Sequence, residues 1–474
     1  MELLPYKKFD STKLSWAHVK ISFISGVGFF TDAYDLFIVT TLITLFLHSN
    51  VPGFSNYLTG PSSAFWLSVL TSSAIWSAIA GQLIFGGVSD KKGRKSVYGI
   101  EALILTIGAI ASAFAQNLLE LVIARTFLGL GIGGDYPISS VIASEYSNTN
   151  DRGKLIALVF SNQGIGILAA IGISFLSTLY LPPTLAWRVM VGIAAIPSAV
   201  VIYLRRKMPE TPRYSLLVKG DVEEVKKAGK LFNIDVKDLD NNVPKARELS
   251  VKEFIKNYWI TLIGTTLPWL ILDVALYGMG LYSDFITFAI FPTLKGSLIL
   301  NELRAGIPYI IGLPGYFAAV ALIDKLGRKT QQIIGFMMMS IVYLLTAVLL
   351  NTTFPSIVLL GLYSLSFFFI NFGPNTTTFI IPAEVYPVTY RSRGHGLSAA
   401  SGKFGAAITT YIFPVIYPLL GTKAIMMLLA LLSIVGAIIT AFTLEETKRR
   451  PLEEVSNDLK IITSEESVLS IKNK

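Results

Sequence analysis

The sequence predicts an all-α membrane protein with twelve transmembrane helices arranged as two six-helix, pseudo-symmetric bundles. Three observations support this fold class: an apolar composition, about twelve apolar runs, and a charged loop motif that occurs once in each half. Of the 474 residues, 52% are hydrophobic and only 15% are charged, whereas soluble proteins have about 25% charged residues. The charges stand in short clusters between long apolar runs, which is typical of a polytopic helical membrane protein.

The apolar runs have the length of about 20 residues that a helix needs to cross a bilayer. In the first half they lie near 17–47, 62–88, 96–116, 119–146, 154–180 and 186–204. In the second half they lie near 258–292, 300–323, 331–350, 355–386, 394–420 and 424–443.

One long polar segment separates the two sets of runs. It is rich in Lys, Glu and Asp with scattered Leu and Val, and we expect it to form short amphipathic helices in water. The predicted units are an N-terminal bundle, a cytoplasmic central loop, a C-terminal bundle and a cytoplasmic tail, with the bounds 1–204, 205–256, 257–444 and 445–474.

Basic residues are distributed unevenly between the two sets of loops. Clusters of Lys and Arg lie in every second connection, near 90–95, 151–154, 205–207, 324–329, 391–393 and 448–450. The opposite loops, such as 49–61 and 181–185, have no basic residue; Lys295, Arg304 and Lys423 are exceptions. Because an excess of Lys and Arg marks cytoplasmic loops, we expect a multi-pass protein of the plasma membrane with both termini in the cytoplasm.

A charged turn follows both the second and the eighth run, and an acid followed seven positions on by Arg also occurs in both halves. The matched residues are Asp90, Arg94, Glu145 and Arg152 in the first half and Asp324, Arg328, Glu384 and Arg391 in the second. Two halves in the same orientation are the parallel-repeat plan of a rocking transporter. We expect the Arg side chains to pair with acids at helix ends and the pairs to break and re-form during rocking.

The seventh run contains a single carboxylate, Asp273, in an otherwise apolar stretch. Trp269 and Tyr277 lie four positions to either side and share its helix face. A charged side chain inside a membrane is costly unless it faces a bundle interior or a wet cavity, so Asp273 is a candidate functional residue. The alternative is a structural Asp that is paired with a cation on a neighbouring helix.

Other polar residues within the runs are few. Asp32 and Asp35 share a face of the first run, and two neighbouring carboxylates in a low dielectric favour protonation of one of them, which suits proton coupling. A salt bridge from these acids to Arg125 is the structural alternative. The remaining candidates are Asp135, Tyr136, Gln163, Asn375 and Lys403.

These side chains favour a substrate with both hydrogen-bond acceptors and donors. Tyr, Trp, Gln, Asn and Lys donate to oxygens, while Asp273 accepts from a hydroxyl. Dihydrogen phosphate has both groups, whereas sulfate lacks the proton and repels Asp273. The residues by themselves predict a protonated oxyanion or a polyol.

The motifs resemble known families. The two charged turns are similar to the signature of the major facilitator superfamily, and Met208-Pro-Glu-Thr-Pro-Arg-Tyr214 and Leu444-Glu-Glu-Thr-Lys448 look like its sugar-porter-like branch. The stretches around Asp32, Asp135, Asn375 and Lys403 resemble the phosphate:proton symporter family. That resemblance implies that the phosphate ligands are Tyr136, Gln163, Trp269, Asp273, Tyr277 and Asn375. It also implies proton-linked acids at Asp32 and Asp35, with Asp135 and Lys403 as a coupled pair near the site.

We therefore predict a proton-coupled importer of inorganic phosphate that works by rocker-switch alternating access. The partners are dihydrogen phosphate, protons and the lipid bilayer, with no nucleic acid, cofactor, metal ion or obligate protein partner. One alternative is a major facilitator transporter of a sugar or of an organic or aromatic acid; another is a phosphate sensor without turnover. An enzyme is not expected, since the sequence has no Walker motif, nucleophile–histidine set or metal-ligand spacing.

Overall fold

The computed structural model of the protein describes residues 6–236, 245–291, 298–458 and 460. Lys295, part of the central loop and half of the predicted tail lie outside the described residues. Within these ranges every regular element is a helix, so the predicted all-α class is confirmed.

The long helices are numbered here as membrane crossings. They are α1 (Trp16–His48), α2 (Ser63–Lys92), α3 (Ile100–Phe114), α4 (Leu118–Tyr146), α5 (Arg152–Tyr180), α6 (Pro183–Gly192 and Ala195–Arg206), α7 (Val251–Gly280), α8 (Leu298–Leu326), α9 (Arg328–Leu349), α10 (Ser356–Phe372 and Pro374–Val385), and α11 and α12, which together form Arg391–Thr443. The shorter helices are Tyr6–Asp10, Ser55–Thr59, Arg94–Val97, Pro212–Tyr214, Ser215–Lys219, Val222–Leu231, Ser283–Ile290 and Leu452–Val455.

Length and hydropathy agree with twelve crossings. In the described part of the chain, ten helices are long and apolar enough to cross a membrane. Arg391–Thr443 counts once among them, although Gly421 (φ 71°, ψ 168°) breaks it into α11 and α12. The more highly charged α4, which has 29 residues, completes the set of twelve.

Local sequence signals explain where important helices begin. Ser250 caps α7, because its hydroxyl accepts from the Glu253 backbone N–H while the Glu253 carboxylate accepts from the Ser250 N–H. The side chain of Asn117 caps α4 in the same manner through the Glu120 N–H. In α10, Gly373 leaves the helical conformation and Pro374 starts a new helix, so this crossing is interrupted next to Asn375.

The crossings form two bundles, α1–α6 (the N bundle) and α7–α12 (the C bundle). Within them α1 packs on α5, α2 on α4, α7 on α11, and α8 on α10. Between them α2 packs on α11 and α5 packs on α8. The Ser68 hydroxyl donates to the Tyr411 carbonyl across the first of these contacts, at 2.8 Å. A major facilitator arrangement of two bundles is therefore confirmed.

The two charged turns have the same backbone geometry. Gly93 has φ 107° and ψ 152°, and Gly327 has φ 101° and ψ 157°, values that favour glycine because it lacks a Cβ atom. Each glycine ends one helix and is followed directly by an Arg that begins the next. The internal repeat read from the sequence is thus a repeat of structure as well. The predicted unit boundaries within this frame stay predictions.

Candidate functional site

The buried polar centre lies between the two bundles, around α7. Trp269, Asp273 and Tyr277 are all at most 2% exposed. The Trp269 ring lies 6.3 Å from the ring of Tyr136 on α4, and the Tyr277 ring lies 5.7 Å from that of Phe37 on α1. Since α1 and α4 belong to the N bundle, this face of α7 points into the interface and not toward lipid.

Lys403 on α11 completes the centre. Its ammonium group donates to an Asp273 carboxylate oxygen at 3.0 Å. It also lies 4.7 Å from the ring centroid of Tyr136 and 4.8 Å from that of Tyr277. A cation between two aromatic faces and a carboxylate is well stabilised despite its burial. This is the cation-paired arrangement that the sequence left open as the alternative for Asp273.

The resemblance implies that Asp135 and Lys403 are a coupled pair, but their side chains form no ion pair with each other in this structure. Asp135 instead pairs with Arg205 at the end of α6, at 2.8 Å. The physical reason is direction: Asp135 points into the N bundle toward α1 and α6, whereas Lys403 points across the C bundle toward α7. Gly28 allows Asp135 to approach α1 this closely, because a Cβ atom on residue 28 would lie 1.9 Å from an Asp135 carboxylate oxygen.

The neutral candidates surround this centre, and two of them have unpartnered atoms. The Tyr277 hydroxyl and the Gln163 carbonyl oxygen are buried, and neither makes a hydrogen bond of good geometry with a described residue, although the Tyr277 hydroxyl lies close to the Lys403 ammonium group. The Asn375 amide donates to the hydroxyl of Tyr316 at 3.0 Å and to Asn371 at 2.8 Å. Buried polar groups are normally satisfied, so unpartnered ones at a bundle interface indicate space for a polar ligand.

The acids of α1 lie beside the Asp135 pair. Both carboxylate oxygens of Asp32 and one oxygen of Asp35 are buried, and no described residue forms a hydrogen bond with them. The expected alternative of a salt bridge to Arg125 is absent here, because Arg125 donates to the backbone carbonyl of Asp35, at 3.1 Å, rather than to a carboxylate. Asp32 is within electrostatic range of Asp135 and Arg205.

Sequence reasoning missed Arg205 and Glu101 as members of this cluster. Arg205 also pairs with Glu101 at 2.7 Å and stacks on the ring of Tyr98 at 4.3 Å. Arg205 had been grouped with the basic loop at the end of the sixth run. A signal for Glu101 was present, since it is the only acid in the third run and an ionisable residue within a membrane is a functional candidate by default.

The face of the protein with the basic loops is closed by a network that we call the lock. It consists of Asp90, Arg94, Glu145 and Arg391 and of their counterparts Asp324, Arg328, Glu384 and Arg152. Across the bundles, Arg391 pairs with Glu145 and Arg152 pairs with Glu384, each at 2.8 Å. Within the bundles, Arg94 pairs with Glu145 at 3.1 Å and Arg328 with Glu384 at 2.8 Å.

Backbone groups and threonines complete the lock. Asp90 accepts from the N–H groups of Ser392 and Arg393, and Asp324 accepts from those of Gly153 and Lys154. Thr211 donates to Glu145, and Thr447 donates to Glu384. These threonines belong to the motifs that follow α6 and α12, so the two half-ending motifs have equivalent structural roles.

Aromatic side chains seal the space between the lock and the polar centre. The ring of Phe379 on α10 lies 4.7 Å from that of Phe29 on α1 and 4.6 Å from that of Phe160 on α5. Because α1 starts and α10 ends at the basic face, these rings lie on the lock side of Asp32 and Asn375.

Among the described residues, the opposite face has a cavity of about 520 Å³. It lies between α1, α2, the helix Ser283–Ile290, α8 and α11, and Thr44, Tyr282 and Arg304 are among its lining residues. A smaller adjoining cavity reaches Phe37 and Tyr309, and Phe37 in turn covers the ring of Tyr277. The polar centre is thus approached from the face opposite the lock, with Phe37 between it and the cavity.

Two pseudo-equivalent bundles around a buried polar centre, closed on one face and open on the other, define a multi-pass secondary transporter. The family described as sugar (and other) transporter matches residues 21–459. The chain therefore belongs to the sugar (and other) transporter family of the major facilitator superfamily, as the motifs predicted.

Curated relatives match nearly the whole chain. The probable inorganic phosphate transporter 1-6 of Arabidopsis thaliana is 38% identical over 95% of this chain and 96% of its own. The inorganic phosphate transporter 1-11 of Oryza sativa subsp. japonica is 36% identical over 95% and 89%. The repressible high-affinity phosphate permease of Neurospora crassa is 34% identical over 98% and 90%. The resemblance to phosphate transporters is confirmed.

Solved structures show the same fold. The proton:xylose symporter XylE bound to 6-bromo-6-deoxy-D-glucose is 20% identical and has a TM-score of 0.81, with 93% of this chain and 98% of that chain covered. The inward open conformation of the xylose transporter XylE from E. coli is 19% identical and has a TM-score of 0.65, with 93% and 99% covered.

Proposed function

We propose that the protein is a proton-coupled importer of inorganic phosphate that works by alternating access. The observation that carries this proposal is the Asp273–Lys403 pair at the bundle interface, next to the unpartnered hydroxyl of Tyr277 and carbonyl oxygen of Gln163. The names of the full-length relatives support phosphate as the substrate. The substrate crosses the membrane without chemical conversion.

Dihydrogen phosphate fits the chemistry of this centre. Its anionic oxygens accept from Lys403, from the hydroxyls of Tyr136 and Tyr277 and from the Trp269 indole N–H, while one P–OH group donates to Asp273. Gln163 and Asn375 offer further amide contacts. Because phosphate carries both kinds of group, one ligand satisfies both members of the ion pair as well as the orphaned Tyr277 hydroxyl.

The acids of α1 are the proposed proton-binding groups. An ionised carboxylate that is buried without a partner is very costly, so Asp32 is stable in this environment only when it carries a proton. Asp35 is the neighbouring site for that proton. Asp135 and Asp273 complete the proton-linked set, each held beside a cation that can stabilise it after deprotonation.

Rocking of the bundles would open and close the lock. With the lock formed, phosphate and protons reach the centre from the opposite face; when its pairs separate, the centre opens to the basic face and both are released. The excess of Lys and Arg favours the cytoplasm for that face and for both termini. The plasma membrane is the location that we propose for an importer.

A sugar or an organic acid is the second candidate substrate, because the family description includes sugars. Lys403 counts against a neutral sugar, since a buried cation beside the binding centre favours an anion.

The test uses purified protein in liposomes, with radiolabelled phosphate outside and an inward proton gradient. We expect concentrative uptake that a protonophore abolishes and that unlabelled phosphate inhibits, whereas sulfate, xylose and benzoate do not. Repeating the uptake measurement under the same proton gradient, with and without sodium, identifies the coupling ion. Equal inhibition by sulfate would contradict the proposal that Asp273 selects phosphate by accepting a hydrogen bond from its hydroxyl group. Uptake of labelled xylose instead of phosphate would contradict the whole proposal.

A further inference from the structure

A second polar cavity lies on the basic face, beside the lock and away from the central site. It has a volume of about 500 Å³ and lies where α2 ends, α3 begins and α6 ends. We call it the loop pocket and define it by Lys92, Lys95, Arg206, Lys219 and Ser215. It is a cavity within the N bundle and the segment that follows it, so it exists independently of contacts with the C bundle.

The cations of the loop pocket have no ionic partners. Lys92, Lys95, Arg206 and Lys219 are exposed, and none of them belongs to an ion pair found in the described part of the chain. These four cations outnumber the carboxylates that line the same cavity, Glu210, Asp221 and Glu224, so the pocket favours an anion.

The carboxylates in the same wall are already engaged. Glu210 accepts from the backbone N–H groups of Lys95 and Thr211. Glu224 accepts from Lys227, and Asp221 caps the helix Val222–Leu231. These acids therefore stabilise the local backbone, and their three negative charges against the four cations leave the pocket wall with one excess positive charge.

An independent observation also points to a ligand. The hydroxyl of Ser215 is fully buried in the wall of the pocket, and no described residue forms a hydrogen bond with it. A buried hydroxyl without a partner costs free energy, and the oxygen of a bound anion would satisfy it.

The position of the pocket indicates where the anion comes from. Three of its cations stand at the ends of membrane crossings. The neighbouring Lys207 donates to the hydroxyl of Tyr203, whose ring is 62% exposed, and exposed Tyr side chains are typical of the membrane–water interface. The loop pocket thus lies at the depth of lipid headgroups.

We propose that the loop pocket binds a phosphate ester, with the headgroup of an anionic phospholipid as one source and a soluble phosphate ester as the other. The phosphate group would contact Lys92, Lys95 and Arg206, and Lys219 and Ser215 would bring the segment after α6 into the same site. Glu210 forms part of the wall, and the adjacent Thr211 holds Glu145 of the lock. Occupancy would therefore stabilise the closed basic face.

The test compares binding of the same phosphorylated headgroup when it is attached to a lipid and when it is free in solution. The full chain is titrated with phosphatidylinositol 4-phosphate in phosphatidylcholine nanodiscs, and separately in detergent with soluble inositol 1,4-bisphosphate. We expect saturable binding of the lipid, weakened at least about tenfold in the triple variant K95Q/R206Q/K219Q, since each basic residue near a membrane surface contributes substantially to binding. Binding of the lipid alone identifies a headgroup site, and comparable binding of the bisphosphate identifies a site for soluble esters.

The matched control is K230Q/K252Q/K256Q, which removes the same charge from exposed positions of the same face outside the pocket. Ser215→Ala changes no charge and should weaken binding about threefold with an unchanged thermal midpoint, which keeps the test valid if the triple variant is unstable. Equal weakening in both triple variants, or no saturable binding of either probe, would overturn the proposal. Neither probe is the transported ion, so this outcome is independent of phosphate uptake.

Discussion

The lock and the polar centre are both built from buried charges, yet they differ in how completely those charges are satisfied. In the lock, every carboxylate oxygen of Asp90, Glu145, Asp324 and Glu384 has a partner among the described residues. In the centre, both oxygens of Asp32 have none. The carboxylates of the lock are thus fully hydrogen-bonded, although Arg94 Nε and Nη1 and Arg152 Nη1 have no described partner. Satisfied carboxylates hold one arrangement of the bundles, whereas the unpartnered acid of the centre is ready for a ligand or a proton.

Symmetry separates the two regions as well. The lock has two equivalent halves, one at each charged turn, because both bundles take part in closing the same face. The centre is asymmetric: the N bundle contributes the Asp135–Arg205 pair and the C bundle contributes Asp273–Lys403. This difference suggests a division of labour, with proton-linked groups in the N bundle and the anion-binding pair in the C bundle.

The largest expected effect comes from Asp273→Asn. Removing one partner of a buried ion pair costs about 3–5 kcal/mol and leaves the Lys403 charge uncompensated. We expect proton-driven phosphate uptake in liposomes to fall by at least about a hundredfold. Full concentrative uptake by this variant would show that Asp273 and Lys403 form only a structural ion pair.

Breaking the lock should have the second-largest effect. The quantity that changes is the accessibility of the basic face rather than phosphate uptake. Glu384→Gln leaves Arg152 without its carboxylate partner and Arg328 with Asp324 alone, so the contact between the bundles is lost and the closed face should open. The chain has no cysteine, so Ser144→Cys, buried against α10, can report opening through its reaction with a maleimide. We expect labelling to rise at least about tenfold in the Glu384→Gln background.

The matched control for the lock is Asp151→Asn, which removes a partly exposed ion pair with Lys154 on the same face. Such pairs contribute about 0–1 kcal/mol, so the reporter should stay unreactive. Equal labelling in both backgrounds would show that the lock does not hold the face closed.

Asp32→Asn should have an intermediate effect. It mimics the protonated side chain, so phosphate binding should persist while uptake loses its dependence on the proton gradient. We expect gradient-driven uptake to fall about tenfold, with exchange of internal for external phosphate largely retained. Loss of both activities would instead indicate that Asp32 is a phosphate ligand or a structural residue.

The smallest predicted effect concerns the tail, whose Asp458 pairs with Arg391 of the lock at 2.8 Å. Burial raises the pKa of Asp458 from 3.8 to about 6. The docked tail therefore binds a proton more readily than a free tail does, so docking should strengthen as the pH falls from 7.5 to 5. A fluorophore on Lys460→Cys should show higher anisotropy at pH 5.

Asp458→Asn should make this anisotropy independent of pH, whereas Glu454→Gln, at an exposed position of the same tail, should leave the pH dependence intact. Weaker docking at pH 5 than at pH 7.5 in the unmodified tail would contradict the predicted sign.

The sequence was sufficient for the architecture because hydrophobic length and loop charge act locally. The twelve crossings and the two matched turns could both be read from spacing. The pairing of charges could not, because it depends on how each helix is rotated about its axis. For that reason nothing in the sequence indicates that Asp135 pairs with Arg205, which lies in the basic cluster at the end of the sixth run.

The measurement that tests the central claim most directly is phosphate binding to the Tyr277→Phe variant. This change removes only the unpartnered hydroxyl, so the thermal midpoint should stay the same or rise. If that hydroxyl is reserved for the substrate, phosphate affinity measured by calorimetry should fall about tenfold relative to the unmodified protein. An unchanged affinity would contradict the assignment of the unsatisfied centre to phosphate.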